Sequence, residues 1–222
     1  MKYAINSPIG AFGNHIRWLL LLDEKFKFSL SVTPVSEAFT AAPTKNQIDT
    51  SPTYEFKDLQ QKLDFIKTHV YNENRTWHNW LAVEWQYRNQ LASLISFDHD
   101  YVNITPNITV KTIATTISPT LAYKSYLKFN SNINRTSKEK FQNVISNNNW
   151  QIKNLSNYHN LMIINSDNLF TPSLDSQLYK SMTDFFELTN LYDSANSSHQ
   201  LWYNLHKKAE NEFVETVQQI YN

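Results

Sequence analysis

Lys2-Tyr3-Ala4-Ile5-Asn6-Ser7-Pro8-Ile9-Gly10-Ala11-Phe12-Gly13-Asn14-His15-Ile16-Arg17-Trp18-Leu19-Leu20 is the stretch that decides the fold. Lys2 to Asn6 reads as a short strand. Ser7 to Gly13 is a loop holding Pro8 and both glycines of the chain, Gly10 and Gly13. Asn14 to Asp23 reads as a helix, with Ile16, Leu19, Leu20 and Asp23 at helical spacing and Asn14 at the N-cap. The unit is strand, glycine loop, helix. Such a loop presents unpaired backbone N–H groups at the positive end of a helix dipole, which suits phosphate or sulfate. Glycine lets the backbone approach an anion and take a positive φ. With only 2 glycines in 222 residues, other turns fall to other residues, and asparagine, which is abundant and tolerates left-handed backbone, is the expected substitute.

Outward from this unit, Phe26 to Pro52 is irregular, with Pro34, Pro43 and Pro52; a loop that long reads as a functional flap or as order without a recognisable pattern. Tyr54 to Val70 reads as an amphipathic helix on Phe56, Leu59, Leu63, Ile66 and Val70. A second helix is expected over Arg75 to Leu91, carrying Trp77, Trp80, Leu81, Glu84 and Trp85. Leu94 to Phe97, Thr109 to Ile117 and Leu161 to Ile164 read as strands. Leu121 to Asn130, Thr136 to Ile145, Leu174 to Leu188 and Leu201 to Tyr221 read as helices. Strands separated by helices imply parallel pairing. The expectation is one α/β domain over residues 1–222, a small, mainly parallel sheet with many flanking helices. Ligands of such sheets bind beyond the carboxyl ends of the strands. Ser7 to His15, Phe97 to Asp100 and Ile117 to Ser125 fall there.

Composition narrows the functions. Lys+Arg and Asp+Glu are each 20 and the formal net charge is 0, which argues against a strongly basic nucleic-acid binder. Cysteine is absent, so disulfides, thiolate zinc sites and cysteine nucleophiles are excluded. The apolar run Trp18 to Leu22 is too short to span a membrane, so a soluble cytoplasmic protein is expected. Asn-x-Ser/Thr triplets begin at Asn74, Asn103, Asn107, Asn134, Asn154 and Asn196, as chance gives in such a composition. His199, His206 and Glu210 have helical spacing but lack a convincing third ligand, and no metal site is expected.

The chemistry is sought in the three polar segments. The first differs from a Walker A loop: Pro8 takes the place of its first glycine, and Gly13-Asn14-His15 replaces Gly-Lys-Ser/Thr. The backbone of Gly10, Ala11, Phe12, Gly13, Asn14 and His15 is the candidate anion cradle; Arg17 points away by helical phase. In the third segment Ser118 can cap a helix whose first turn holds Pro119. Ser125 and Lys128 share a face with Lys124 beside it, a set able to hold a phosphate or simply a solvated helix edge. In the second segment His99, flanked by Asp98 and Asp100, is the candidate base. His69 is the rival, although Ile66 and Val70 make it a helix end. Arg75-Thr76-Trp77-His78-Asn79-Trp80 with Glu84, Trp85 and Arg88 could line an acceptor pocket or a carbohydrate-like surface, or pack in the core.

Taken in order, these segments resemble the cytosolic and bacterial sulfotransferases, a branch of the P-loop nucleoside-triphosphatase fold. Ser7 to Leu19 is similar to their Pro-Lys-Ser-Gly-Thr-Thr-Trp-Leu loop. Phe97-Asp98-His99-Asp100 stands where they carry a histidine base. Ile117-Ser118-Pro119-Thr120-Leu121-Ala122-Tyr123-Lys124-Ser125-Tyr126-Leu127-Lys128-Phe129 matches the Pro, Ser, Tyr and Phe of their 3′-phosphate motif at the same spacing. Met162 to Leu169 and Phe185-Phe186-Glu187-Leu188 resemble two later segments. The resemblance implies 3′-phosphoadenosine 5′-phosphosulfate as donor and a small-molecule or carbohydrate acceptor. It implies His99 as catalytic base, and Gly10 to His15 with Ser118, Lys124 and Ser125 as donor-binding residues. The chain also resembles uncharacterised proteins of marine phage and environmental origin that share Phe-Gly-Asn-His and Thr-Trp-His-Asn-Trp.

Two departures are plain. The loop lysine is absent, and Ile117 stands in place of the 3′-phosphate arginine, with Lys124, Lys128 and Arg135 as candidate replacements. A non-catalytic P-loop relative, kept as a binding or virion-associated module, would show such losses. Gly10 to His15 also resembles the Gly-Gly-Leu-Gly-Asn-Gln opening of GDP-fucose-dependent fucosyltransferases, although their later His-x-Arg-Arg segment is missing here.

Overall fold

The computed structural model describes residues 2–8, 10–31, 53–72, 74, 87, 90–99, 109–129, 135–154 and 158–221. Among them the strands are β1 (Lys2–Asn6), β2 (Ser29–Ser31), β3 (Thr53–Glu55), β4 (Ser96–Asp98), β5 (Val110–Thr116) and β6 (Leu161–Asn165). The α-helices are α1 (Gly13–Leu20), α2 (Leu59–Phe65), α3 (Pro119–Phe129), α4 (Arg135–Asn154), α5 (Ser176–Phe186) and α6 (Tyr192–Tyr221). β4, β1, β5 and β6 form a sheet in that spatial order, every pair parallel. The class is therefore α/β, as the alternation of strands and helices requires. β2 and β3 pair antiparallel in a separate two-stranded sheet.

The period-two alternation of a strand divides the parallel sheet into two faces. Ile5 lies in register with Ile113, and Ile113 with Met162. With Tyr3 and Ile164 they meet Ile16, Leu19 and Leu20 of α1, Met182 and Phe186 of α5 and Trp202 of α6 in the main core. On the other face Ala114, Leu161 and Ile163 meet Ile152 of α4 in a small second cluster. Each large side chain buried this way contributes about 1.5–3 kcal/mol relative to exposure.

The strand order places the ligand crevice. From β1 the chain next joins the sheet on one side, at β4; from β5 it next joins on the other, at β6. The reversal falls between β1 and β5, and such a switch point opens a crevice beyond the carboxyl ends of those two strands.

Several elements differ from the sequence reading. Tyr54 and Glu55 belong to β3, not to a helix; α2 starts only at Leu59, where the Asp58 carboxylate accepts the Gln61 N–H at 2.9 Å. Phe56 is buried beside the Phe28 and Phe65 rings, at 5.0 and 4.9 Å, which holds the chain extended up to the cap. Ile66–Val70 forms a π turn, closed by Tyr71 N–H to Ile66 O at 2.7 Å. That widening brings consecutive Val70 and Tyr71 both into the core at 0% exposure. α4 and α6 are longer than expected, α6 starting at Tyr192. Among the described residues asparagine does not supply the left-handed turns: the non-glycine residues at positive φ there are Phe12 (60°) and Glu187 (55°). Glu187 follows the last turn of α5, where Leu188 N–H bonds Thr183 O at 2.9 Å and Lys111 Nζ holds its carboxylate at 2.6 Å. Most of Phe26 to Pro52, and nearly all of Arg75 to Arg88, lie outside the described residues.

Candidate functional site

β1 delivers the chain into the crevice at Ser7, which ties three strands together. Its N–H donates to Asp98 O at 2.9 Å, and its hydroxyl accepts from Thr115 Oγ1 at 2.8 Å. Its carbonyl accepts from His99 Nδ1 at 2.8 Å. A carbonyl can only accept, so Nδ1 carries the proton and Nε2 is the unprotonated nitrogen of the neutral ring. His99 is half-buried, edge-on to Phe97 at 4.9 Å. The flanking Asp100 lies outside the described residues.

The described residues of the loop beyond Ser7 are closely packed. Gly10 has φ +84°, and a β-carbon there would meet Ala122 O and Ser125 Cβ at 3.3 Å. Gly13 is needed for a different reason: a β-carbon would lie 2.5 Å from the Phe97 ring and 2.5 Å from Ser7 Cβ. Ala11 is fully buried, and its carbonyl accepts the Ser166 hydroxyl at 2.7 Å. Phe12 takes the left-handed N-cap position of α1 with no side-chain cap. That conformation is costly for a bulky residue. Its ring stacks on Phe170 at 5.9 Å and meets Trp202 edge-on at 5.0 Å, which offsets the cost. The first N–H groups of α1 have no acceptor within the helix, as at any helix start.

His15 does not face the crevice. It is fully buried, stacked on Trp202 at 4.0 Å and bonded to Tyr71 and His199, each at 3.0 Å. Burial, and then the neighbouring His199 and His206, hold its pKa well below the ordinary histidine value. Arg17 is buried: its guanidinium donates to Asn14 Oδ1 at 2.9 Å and to Ile95 O at 3.5 Å, and lies over the Phe97 ring at 5.3 Å.

On the other side of the crevice Ser118 caps α3, its hydroxyl accepting the Leu121 N–H at 3.3 Å. Its own N–H donates to Asp167 at 2.9 Å, and the Ile117 backbone is clamped by the Asn149 side chain. Ser125 is 1% exposed and adjoins Gly10. Its hydroxyl has no hydrogen-bond partner among the described residues. Lys124 is exposed, and its ammonium lies 4.0 Å from Glu210 of α6 rather than toward the loop; Ser125 takes the inward side of that helix. His69, in the π turn, stacks on Phe65 at 4.7 Å, away from the switch point. His199 and His206 are buried in the Phe12–Trp202 cluster, and Glu210 pairs with Lys207 at 2.9 Å.

The fold thus brings together Gly10 to Asn14, Ser125 and the Ser7–His99 pair around the carboxyl ends of β1 and β5. The sequence reading held Ser7 only as the first residue of the loop segment and Ser166 only as part of Met162 to Leu169, and it missed Thr115, whose signal was only its position at a strand end. No protein-family model, curated protein or solved structure matches the chain.

Proposed function

We propose that the chain is a sulfotransferase-like enzyme of the P-loop class, using 3′-phosphoadenosine 5′-phosphosulfate as donor and a hydroxyl or amine of a small molecule or carbohydrate as acceptor. The observation that carries this reading is the His99 Nδ1–Ser7 O bond, which leaves Nε2 as the basic nitrogen at the carboxyl edge of the sheet. The donor would supply an activated sulfuryl group. His99 Nε2 would take the acceptor proton as the new oxygen– or nitrogen–sulfur bond forms and the bond to the donor phosphate breaks, a role worth about 10²–10⁴ in rate.

The residues fit such a donor in part. Ser125 offers a buried, unpartnered hydroxyl beside Gly10, and the start of α1 offers backbone N–H groups to an anion. Lys124 does not reach inward, so among the described residues the negative charge meets N–H groups and hydroxyls. The outward turn of Lys124 and the close packing of the described loop residues favour the second reading, a non-catalytic relative that binds a nucleotide without turning it over; the side chains of Lys128 and Arg135 lie outside those described.

Calorimetric titration with adenosine 3′,5′-bisphosphate tests the donor. Binding is expected, with a thermal shift growing with ligand concentration. His99→Asn should leave that binding in place and abolish sulfuryl transfer. No heat and no thermal shift at millimolar bisphosphate rejects both readings. Binding without transfer to any acceptor selects the non-catalytic one, and preference for GDP selects a glycosyltransferase.

A further inference from the structure

We propose that the buried His15–His199 contact is an acid-opened latch that fastens α6 to the first turn of α1. It goes beyond the transfer reading and stands whether or not the loop holds a nucleotide.

The direction of every bond in the cluster follows from one carbonyl. His199 Nε2 lies 2.8 Å from Thr171 O and must donate to it. In the neutral ring Nδ1 is then an acceptor, so His15 Nε2–H donates to it at 3.0 Å. That leaves His15 Nδ1 to accept the Tyr71 hydroxyl at 3.0 Å. The chain Tyr71, His15, His199, Thr171 has a partner for every ring nitrogen while both rings are neutral, and it cannot keep them all once both rings are charged. It joins the end of the π turn, the first turn of α1, α6 and the segment after β6.

The surroundings offer little to stabilise added charge. His15 and His199 are both 0–1% exposed. The titratable groups facing them are Tyr71 from the π turn and His206 from α6, itself 1% exposed. The segment after β6 contributes the Thr171 carbonyl and the Phe170 ring. Lys207 and Glu210 of α6 pair with each other, Lys124 of α3 turns to Glu210, and the Arg17 charge of α1 is held by Asn14 and Phe97. Burial holds both His15 and His199 below the ordinary histidine value, the Thr171 carbonyl opposing this for His199.

Protonation therefore works against the closed state. A first proton can be accommodated by reversing the chain, with His199 Nδ1–H donating to His15 Nε2 and His15 Nδ1–H donating to Tyr71. A second sets two N–H groups against each other across the 3.0 Å gap. The opened rings take up protons that the closed rings refuse, so opening is favoured as pH falls below about 6.5. The same movement frees Phe12, whose left-handed backbone is held by Trp202 and Phe170.

The test is hydrogen exchange of the full chain between pH 7.5 and 5.5, corrected for intrinsic rates, with imidazole ¹⁵N NMR of the same samples. At pH 7.5 His15 and His199 should both be neutral with the proton on Nε2. As pH falls, exchange of the bonded α1 amides from Ile16 onward and of α6 around His199 should rise together by at least about tenfold, with a limit of about a hundredfold per pH unit for two protons. β1 and β5 should not follow. His199→Asn keeps an acceptor for His15 and removes one titrating ring, so the limit should drop to about tenfold per pH unit. A charged His15 at pH 7.5, exchange that is flat with pH, or exchange that rises equally in the sheet would overturn the latch. If the variant does not fold, the wild-type exchange profile and the tautomer assignment decide the matter alone.

Discussion

Gly13 has no room for a side chain, and that fact defines the residue scale of this protein. Its approach to Ser7 and Phe97 sets the floor of the crevice against which His99 is held. Gly13→Ala should cost about 1–3 kcal/mol by overpacking and disturb His99, read as a lowered denaturation midpoint and a shifted His99 imidazole resonance. Gly10→Ala should cost about 1–2 kcal/mol through its backbone, because L-residues disfavour the left-handed conformation that Gly10 takes at φ +84°. Ser125→Ala should act in the opposite sense. Removing a buried hydroxyl without a partner among the described residues should stabilise the ligand-free protein by about 1 kcal/mol while weakening bisphosphate binding. Thermal melts with and without adenosine 3′,5′-bisphosphate check both signs, and destabilisation of the ligand-free form would show that the hydroxyl has a partner after all. The importance of the two glycines was legible from their scarcity. Their separate reasons, one conformational and one steric, were not, because Phe97 and Ala122 lie far along the chain.

At the scale of elements, α1 is fastened at its far end by a residue from another helix. Lys62 of α2 donates to the carbonyls of Leu21, Leu22 and Asp23 at 2.8, 3.3 and 2.5 Å, satisfying groups a helix end leaves open at the negative pole of its dipole. Burial pulls this ammonium down to about 8, with Asp23 and Glu24 opposing. Between about pH 8 and the unfolded value near 10.5 the unfolded chain binds the extra proton, so stability should rise with pH across that window. Urea midpoints at pH 7.5 and 10 should show the rise, and Lys62→Met should abolish it while costing about 1–3 kcal/mol for the carbonyls left open. β1, β5, β6 and α1 were legible because an apolar pattern and a turn residue coincide in each. The start of α6 was not, because its inward stripe is Ala195, Ser198, His199 and Trp202. Serine and histidine read as surface until the partners are known, and His15 lies 184 residues from His199. β2 and β3 are three residues each, too short for alternation to stand out against the apolar spacing that runs through Phe56 into α2.

For the whole molecule, the sheet carries two unequal cores. The face of Ile5, Ile113 and Met162 is covered by α1, α5 and α6, with Phe186 of α5 against Tyr3 and Trp202 of α6 against His15 of α1. The face of Ala114, Leu161 and Ile163 is met by α4 through Ile152. α4 also joins the main core at Ile145; cooperative stability follows contiguous buried contacts, so the thin layer around Ile152 should open at lower cost than the main core. Ile113→Ala should cost about 2–5 kcal/mol and lower the single global transition, because it removes volume where β1, β5 and β6 share contacts. Ile152→Ala removes as many atoms from a fully buried position, yet its effect should be local. Exchange should accelerate in α4 and at the Ile117 elbow, which the Asn149 side chain of α4 clamps, and stay unchanged in β1 and α1. Site-resolved exchange on the two variants measures this directly. Equal acceleration of β1 in Ile152→Ala would mean that the thin layer is part of one cooperative core, and that α4 holds the switch-point crevice in shape from beneath.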